Sequence, residues 1–551
     1  MIAMEPPPTY RPGRAPLLQA LLPMGLGILL AGLMNLSINA GWLAAAGVVA
    51  VGCARGIARL SNGSAWRIPF ALGLVCLGWA YGQWRLPPVP EQSGRPVREV
   101  LMRLQIDRVF PGDNDAQVRG FARVAQTDDH LKRWQDARVY FNLATDGVPV
   151  VAGSRIHVRA VLVETVQLEP SGFRTYLQRE RAGGLLSRGR VLAVEREGSP
   201  FLRWCARVNQ RGMQVFLGRE TLRETSRPAA AITAAMTLGN KSGLTETQKT
   251  DFLSTGTMHL FAISGLHVGI IALTLELLLR LMRVPLRMRP VLGLAVLFVY
   301  VGIIGFSPSA VRAFTMVACY WLAATLGRQG KPWPALVLSA WLVLLWNPMQ
   351  LWNIGFQLSY SVVAALILYG APLALALERV IRPDALLPEA DRSPVMRLGV
   401  GAGRWGVRLL AISFSATVAS LPLTVGYFGV FSPAAIPLNL VLGLMAYGVI
   451  NAGLSALLGA WLWPGGWFEP VASWLAYCCA GAMEGLVQTV VAVPGLVWYP
   501  LYTTSWLAPA ALGAILLSCY WVSFRHETLA WRFAVPPLIA LVALIAGLMG
   551  L

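Results

Sequence analysis

The chain has 551 residues, of which 56% are hydrophobic and only 13% are charged, and its formal net charge is +19. Soluble domains average about 25% charged residues, so the composition excludes an ordinary soluble protein and indicates a polytopic membrane protein. The excess of Lys and Arg suits cytoplasmic loops, anionic lipid or a polyanionic substrate, and it does not choose among them.

Residues 1–84 are predicted to form an amino-terminal tail and three membrane helices. The tail is rich in proline, which is typical of a disordered segment. Apolar runs follow at 17–36, 38–54 and 68–84, and the first is too long for the core of a signal peptide, so we expect it to be retained. Arginines between the second and third runs make that link cytoplasmic. The amino terminus is then cytoplasmic, and the chain emerges on the outer side near residue 85.

Residues 85–227 differ from the apolar runs on either side. Alternating polar and apolar residues with Gly, Asp and Asn turns predict four or five strands, and we expect 85–198 to form a small extracytoplasmic β-barrel of the OB type. A basic barrel of this kind can track phosphates and stack bases on aromatic side chains. The aromatic residues from 110 to 141 could serve either that role or the barrel core: Phe110, Phe121, Trp134, Tyr140 and Phe141. Apolar residues interleaved with arginines predict that 199–227 forms an amphipathic helix on the membrane surface.

Residues 228–551 are predicted to form a second membrane block. After a short apolar piece, runs fall near 257–279, 290–306, 308–327, 333–347, 354–376, 409–429, 434–461, 470–492, 504–523 and 533–551. Positively charged links recur at alternate turns, which keeps one orientation throughout. Together with the first three runs, this pattern predicts a polytopic α-helical membrane protein of about thirteen spans with an inserted barrel on the outer side.

The most unusual stretch of the chain is HLFAISGLHVG at 259–269, which lies at the start of the first of these runs. Two histidines, a serine and two glycines are rare in an apolar helix, and such polar groups need partners inside the protein or line water. The alternative is helix packing, in which Gly265 and Gly269 form a small-xxx-small face. We interpret four residues here as channel-lining or helix-breaking elements: His259, Ser264, Gly265 and His267.

The same stretch is a poor candidate for a metal site or a catalytic triad. His259 and His267 would lie about 12 Å apart on a regular helix, which is too far for two ligands of one metal ion. No acidic residue nearby in the sequence would complete a triad with Ser264. The seven cysteines show no C-x-x-C spacing, which favours buried thiols. The sequence therefore predicts no catalytic residue, no metal site and no cofactor.

A second polar group lies in GFSPSAVR at 305–312. Ser307 is suited to cap a helix whose first residue is Pro308. The helix start, which the topology places on the outer side, and Arg312 would then make a positive spot that faces incoming anions. The alternative is a capped helix with a snorkelling arginine.

Two further segments place polar or helix-breaking residues in apolar runs. Gln357 and Ser359 enter a run that is otherwise apolar, and they need partners there. Pro422 is expected to kink one run, and Pro433, Pro437 and Asn439 are expected to interrupt the start of the next. Broken helices at membrane depth occur where the backbone lines a cavity.

These motifs, in this order, resemble the conserved blocks of the ComEC family of competence proteins. The matching segments are LGNKSGL, TGTMHLFAISGLHVG, GFSPSAVRA, NIGFQLSYSVVA and SLPLTVGYFGVFSPAAIPLNL, preceded by EPSGFRTYLQRERAGG. The resemblance implies an amino-terminal OB-fold domain and an inner-membrane channel that admits one strand of transforming DNA. Many members of the family also carry a metallo-β-lactamase-like domain. The chain contains no H-x-H-x-D-H, so we expect any such nuclease to lie beyond Leu551 or in a separate protein.

The sequence therefore supports two transport functions of different classes, and a third, structural interpretation makes residues 85–227 a docking platform for other envelope proteins. The first is a channel for single-stranded DNA, lined by His259, Ser264, Gly265, His267, Ser307, Arg312, Gln357, Ser359 and Asn439. Membrane lipid and a DNA receptor on the outer side are its expected partners. The chain has no Walker A loop, so the energy must come from elsewhere, and the resemblance implies a cytoplasmic ATPase or the proton gradient. The second is a transporter or flippase for a lipid-linked or small anionic substrate that uses the same arginine. Neither requires the chain to be an enzyme.

Overall fold

The computed structural model describes residues 13, 15–33, 39–60, 64–86, 98–110, 117–127, 129–145, 150–169, 172–218, 226–261, 263–326, 331–381, 393–500, 502, 504, 506–524 and 530–549. Most of the proline-rich tail, residues 219–225 of the predicted surface helix, and Arg328 and Arg525 of the charged links lie outside the described residues.

The described chain is mostly helical, with five strands in its first half. The strands are β1 (Arg98–Phe110), β2 (Gln117–Thr127), β3 (Arg138–Ala144), β4 (Arg155–Glu164) and β5 (Gly184–Arg196). The first helices are α1 (Leu18–Leu33), α2 (Ala40–Leu60), α3 (Arg67–Arg85), α4 (Gly172–Arg179), α5 (Pro200–Leu217), α6 (Arg227–Leu238), α7 (Glu246–Ser254), α8 (Gly265–Leu281) and α9 (Arg289–Ile303). The later ones are α10 (Pro308–Thr325), α11 (Pro332–Trp346), α12 (Ile354–Ala365), α13 (Ala371–Glu378), α14 (Pro394–Phe428), α15 (Ala435–Leu462), α16 (Phe468–Val491), α17 (Leu507–Phe524) and α18 (Val535–Leu548).

The five strands close into a barrel in the order β1-β2-β3-β5-β4, with β3 and β5 parallel. Every second residue of β1 from Val100 to Ile106 points inward and is buried, as the two-residue period of a strand requires. A five-stranded Greek-key barrel of this kind fits the OB-like fold expected from the sequence. Trp134 and Phe141 lie in its core with no exposed surface.

A second aromatic group lies on the outside of the barrel, beneath α4. Phe121 packs edge-on against Tyr140, with ring centroids 5.3 Å apart, and Tyr140 packs against Phe173 of α4 at the same distance. Tyr176, also on α4, lies 5.9 Å from Phe121. The sequence did not decide whether these aromatic residues fill the barrel core or are free to stack on bases, and the structure separates them into two groups. Some fill the core, and those on the outer face are covered by the chain's own helix.

Each of the thirteen predicted apolar runs contains a helix. The length and composition of these helices make the chain a multi-pass membrane protein. Among the described residues, seven helices are long and apolar enough to cross a membrane, and three shorter apolar helices accompany them. The segment Ile354–Glu378 is one continuous span of 25 residues, in which a π-helical turn at Leu366–Gly370 joins α12 to α13. The total number of crossings stays a prediction.

The described membrane helices form two large apolar clusters, with a smaller one between α5, α6, α15 and α16. The first cluster contains residues from α6, α8, α9, α10, α15 and α16. The second contains residues from α11, α12, α14, α17 and α18. Helix α10 lies between them, since Ala310 and Ala313 belong to the first cluster and Met316 packs against the second.

Helix α5, within the predicted surface helix, packs Phe216 into a smaller apolar cluster with residues of α6, α15 and α16. Cys205 and Gly212 are also buried on this helix. The amide of Asn209 donates to the backbone carbonyls of Leu238 and Ile303 at 3.1 and 2.9 Å. The opposite face is more open, with Trp204 43% exposed. The helix is therefore tied to α6 and α9 as well as being amphipathic.

Candidate functional site

The stretch from His259 to Gly269 is broken rather than helical throughout. Residues Met258–Phe261 form a 3-10 turn, and α8 begins only at Gly265. Ser264 caps this start, because its hydroxyl accepts from the N–H of Leu266 at 3.2 Å. The sequence predicted an apolar run from residue 257, but the helix itself begins only at Gly265. The helix-breaking interpretation of Ser264 and Gly265 agrees with this geometry.

His267 completes the cap from inside the helix. Its Nδ1 accepts from the backbone N–H of Ser264 at 3.3 Å and lies 3.0 Å from the Ser264 hydroxyl. This arrangement assigns the proton of a neutral imidazole to Nε2. The side chain is fully buried, and Nε2 makes no well-aligned hydrogen bond among the described residues, although the ring lies within reach of the Leu260 backbone. A buried donor left in this state costs about 1–3 kcal/mol.

His259 lies on the 3-10 turn and is exposed, with Nδ1 3.2 Å from the carbonyl oxygen of Gly256. Because the chain is not a regular helix between His259 and His267, the regular-helix separation used in the sequence argument does not apply to them. The described residues contain no group of three His, Cys, Asp or Glu side chains that could hold a metal ion.

Helix α10 begins at Pro308, as the sequence predicted, but Ser307 does not cap it. The Ser307 hydroxyl is buried and has no partner within the described part of the chain. The two preceding residues, Gly305 and Phe306, have φ values of +74° and +49°, and this left-handed turn sets the direction in which the helix starts. The first turn of α10 therefore keeps backbone N–H groups that no serine side chain satisfies.

Arg312 is buried, not exposed and not snorkelling, since only 3% of its surface is accessible. Its guanidinium donates to the Gln350 side chain at 3.4 Å, and Nε has no partner among the described residues. A Cβ added at Gly355 would lie 3.0 Å from Nη2 of Arg312. The absence of a side chain at Gly355 therefore leaves room for the guanidinium against the start of α12.

Gln357 has two hydrogen-bond partners inside the membrane block, as expected for a polar side chain in an apolar run. Its Oε1 accepts from the hydroxyl of Tyr427 on α14 at 3.0 Å, and its Nε2 donates to the carbonyl of Leu351 at 3.0 Å. Ser359 is half-buried on the same helix. Upstream, the Asn353 side chain accepts from the N–H of Phe356 and caps α12.

Helix α15 runs without interruption from Ala435, which corrects the broken start predicted from the prolines. Pro437 falls in its first turn, where a missing N–H costs nothing, and α14 likewise continues through Pro422. Asn439 stays a candidate, because its Oδ1 is buried and has no partner in the described chain.

Three of these helix starts lie together. A Cβ at Gly265 would lie 4.0 Å from the Cβ of Ala313, which brings the start of α8 against that of α10. Arg312 in turn packs against Gly355 at the start of α12. The structure therefore places Ser264, Gly265, His267, Ser307 and Arg312 in one region, next to Gln357 and Ser359 on α12. We call this region the helix-start junction.

The β-barrel reaches the helix-start junction through α4 and the residue that follows it, which sequence reasoning missed. Glu180 accepts from Arg138 of β3 at 2.9 Å and from the Asn353 amide at 3.2 Å. The Arg179 guanidinium lies 4.5 Å above the ring of Tyr427. The signal was present in the charged residues of EPSGFRTYLQRERAGG, a segment used above only for its resemblance to the family.

A groove opens along the boundary between the two clusters, below the junction. It has a volume of about 340 Å³ and lies between α8, α10, α11 and α12, with mostly apolar walls. Gly269 lies on its α8 side, and Glu276 is the acidic residue among those that line it. Glu276 pairs with Arg280 at 2.7 Å.

Comparisons with known proteins agree with the motifs. The model of the Competence protein family matches residues 236–526. ComE operon protein 3 of Bacillus subtilis (strain 168) is 28% identical over 288 residues, which cover 50% of this chain and 33% of that protein. Competence protein ComA of Neisseria gonorrhoeae is 32% identical over 144 residues, which cover 24% of this chain and 20% of that protein.

A third relative, the uncharacterized protein YcaI of Escherichia coli (strain K12), is 29% identical over 149 residues, which cover 26% of this chain and 20% of that protein. The chain thus spans a third or less of the length of these relatives. No solved structure matches it. The family match covers more than half of the chain and includes the helix-start junction, so the chain belongs to the ComEC family of competence proteins.

Proposed function

We propose that this chain takes part in DNA uptake during competence and conducts one DNA strand across the inner membrane. The observation that carries the proposal is the set of buried polar atoms without partners at the helix-start junction. Nε2 of His267, Oγ of Ser307 and Nε of Arg312 belong to motifs far apart in sequence, yet they lie at adjoining helix starts. Buried atoms without partners also occur elsewhere in the described chain, such as Nε1 of Trp134. What supports a path is that these three lie together, because a strand or water there would supply partners for all of them.

The electrostatics of the junction suit a polyanion. Helices α8, α10 and α12 direct their amino-terminal ends to the same region, and each such end carries about half a positive charge. The serine before α10 leaves the N–H groups of that helix uncapped. Arg312 adds a full positive charge within the first turns. The path would then follow the boundary between the two clusters, past Gly269, towards Glu276 on the cytoplasmic side.

In this proposal the barrel lies on the outer side and the amino terminus in the cytoplasm. The chain itself supplies no catalytic step and no ATP-driven step, so the energy for transport comes from a cytoplasmic ATPase or the proton gradient. A DNA receptor on the outer side delivers the strand.

The test is the uptake of labelled DNA into a nuclease-protected compartment by cells that carry the variant chain. Arg312→Gln and His267→Leu are each expected to lower uptake at least about tenfold, a loss of about 1.4 kcal/mol, at normal protein levels. Ser518→Ala is the matched control. Its buried hydroxyl donates to the Ile515 carbonyl within α17, away from the junction. Normal uptake by both junction variants would contradict the path.

The apolar groove favours a second function, the movement of a lipid-linked anion. Its walls, which include Leu273, Val317 and Ile367, suit an acyl chain better than a phosphate backbone. Salt dependence separates the two functions. Binding of an oligonucleotide falls steeply with salt in proportion to the phosphates contacted, whereas binding of a single lipid headgroup falls far less.

A further inference from the structure

The groove below the helix-start junction is short and opens towards the surrounding membrane. Its wall on α8 runs from Gly269 to Glu276, which is about 10 Å at the rise of an α-helix. The hydrocarbon of one bilayer leaflet is about 15 Å deep. Leu273 lies on this wall and is 64% exposed. The groove therefore spans part of one leaflet and has an open side through which a lipid chain can enter.

The walls of the groove are apolar along most of its length, and they include Ala272, Val317, Leu336 and Val363. A Cβ added at Gly269 would meet nothing within 4 Å, so protein leaves the groove unfilled at this point. An acyl chain fits such walls, whereas a phosphate backbone would lie there without partners for its charges.

Two arginines share one carboxylate at the end of the groove where Glu276 lies. Oε1 of Glu276 is 2.7 Å from Nε of Arg280 and 3.7 Å from Nη1 of Arg289. One negative charge thus faces two positive charges, so this end of the groove keeps a net positive charge. The Arg280 side chain is 63% exposed, which leaves much of its guanidinium accessible to an anion.

Further basic side chains lie at the same end of the groove. Lys331 is exposed and directly precedes Pro332, which lines the groove at the start of α11. Arg283 and Arg287 are exposed on the link between α8 and α9. The positively charged links predict that this end faces the cytoplasm, where anionic lipids make the leaflet surface negative.

We propose that the groove binds one anionic phospholipid of the cytoplasmic leaflet, with an acyl chain between α8, α10, α11 and α12 and its phosphate against Arg280 and Arg289. The single negative charge of a phosphate diester matches the net charge that Glu276 and its two arginines leave. The inference goes beyond the proposed function, because the chain holds this lipid and does not transport it. The acyl chain closes the boundary between the two clusters on the side that faces the bilayer.

The test uses the full chain in nanodiscs of equal parts phosphatidylcholine and phosphatidylglycerol, and native mass spectrometry counts the phospholipids that the released chain retains. The unaltered chain is expected to keep one phosphatidylglycerol in preference to phosphatidylcholine. Gly269→Leu fills the empty space of the groove and should lower retention of this lipid at least about tenfold.

Gly513→Leu is the matched control for this variant. A Cβ at Gly513 also meets nothing within 4 Å, and the described residues that line the groove include none from its helix, α17. It should leave retention unchanged. Leu273→Ala removes part of an exposed wall and should lower retention of both lipids, which covers the case in which Gly269→Leu fails to fold.

Arg280→Gln and Arg289→Gln test the headgroup half of the site. Each should lower the preference for phosphatidylglycerol over phosphatidylcholine about fivefold, the factor that one basic residue near an anionic lipid supplies. Arg408→Gln is the control, since it breaks an Arg–Glu pair of similar exposure, with Glu378, that joins α13 to α14. It should keep the preference.

Three outcomes would overturn the lipid site. The first is equal retention of the two lipids by the unaltered chain. The second is normal retention in both Gly269→Leu and Leu273→Ala. The third is movement of labelled phosphatidylglycerol between the leaflets of liposomes by the unaltered chain, which would make the lipid a cargo.

The proposed function is decided by a different measurement, the binding of a fluorescent oligothymidylate to the chain in nanodiscs of phosphatidylcholine. Arg312→Gln should weaken this binding and leave the retention of phosphatidylglycerol unchanged, because Arg312 lies in the helix-start junction and not in the groove. If the unaltered chain binds no oligothymidylate but retains phosphatidylglycerol as described, the proposed function fails and the lipid site is supported.

Discussion

The interior of the barrel and the helix-start junction differ in the kind of group that they bury. The barrel core consists mainly of apolar side chains such as Leu104, Phe141 and Val158, although the indole N–H of Trp134 in that core has no partner among the described residues. The junction instead buries the ionisable side chains of Arg312 and His267, each with a nitrogen that has no partner in the described chain. Each unpaired polar group costs about 1–3 kcal/mol. The barrel core is therefore stabilised mainly by apolar packing, whereas the junction keeps ionisable groups at a cost in stability, as functional sites do.

The largest effect is expected from breaking the stable half of this comparison. Phe141→Ala removes a fully buried ring from the barrel core and should lower the free energy of unfolding by about 4 kcal/mol. Pulse proteolysis in urea, scored by cleavage within residues 98–196, measures it. Phe173→Ala is the control, because that ring lies on the outer face of the barrel and is 41% exposed. An equal loss in both variants would mean that the outer aromatic cluster is as structural as the core.

The next effect concerns Glu180, which pairs with Arg138 within the barrel domain and accepts a hydrogen bond from Asn353 of the membrane helices. Glu180→Gln leaves the buried Arg138 without its carboxylate and should destabilise the attachment of the barrel by about 3 kcal/mol. The expected readout is faster proteolysis at α4 in the folded protein. Glu99→Gln breaks a second Arg–Glu pair of the same barrel, the exposed one with Arg159, and should have no measurable effect. Equal behaviour of the two variants would show that Glu180 does not hold the junction.

The barrel could be predicted more fully than the junction, and the reason is physical. The alternation of polar and apolar residues in β1 predicts which side chains face the barrel interior, because successive side chains of a strand point to opposite faces. The helix-start junction depends on contacts between Gly265, Ala313 and Gly355, which are far apart in sequence and carry no periodic signal. The sequence identified Arg312 and His267 as unusual for an apolar segment. It could not show that Arg312 is buried, nor that Glu180 of the barrel lies beside the same helices.

A smaller effect on stability, but a large one on uptake, is expected at His267. Gln in this position can accept from the Ser264 N–H as Nδ1 does, so His267→Gln should keep the cap of α8. His267→Leu loses a cap bond worth about 1 kcal/mol but also removes the unpaired Nε2–H. The two variants should therefore have free energies of unfolding within about 1 kcal/mol of each other, and both should lose DNA uptake. Full uptake by the Gln variant would make His267 a capping residue with no place in the path.

The smallest effect is expected at Gly355, where the junction can be altered by a single methyl group. In Gly355→Ala the new Cβ lies 3.0 Å from Nη2 of Arg312 and from Oδ1 of Asn353, so both side chains must move by a few tenths of an ångström. The free energy of unfolding should change by less than about 1 kcal/mol, because the gain from replacing Gly by Ala in a helix offsets part of the cost of the displaced side chains. The displaced guanidinium should weaken oligothymidylate binding about two- to threefold, which corresponds to about 0.5 kcal/mol. Gly443→Ala in α15, where a Cβ meets nothing within 4 Å, is the matched control. Unchanged binding in Gly355→Ala, beside a loss in Arg312→Gln, would mean that the arginine acts through its charge and needs no fixed position.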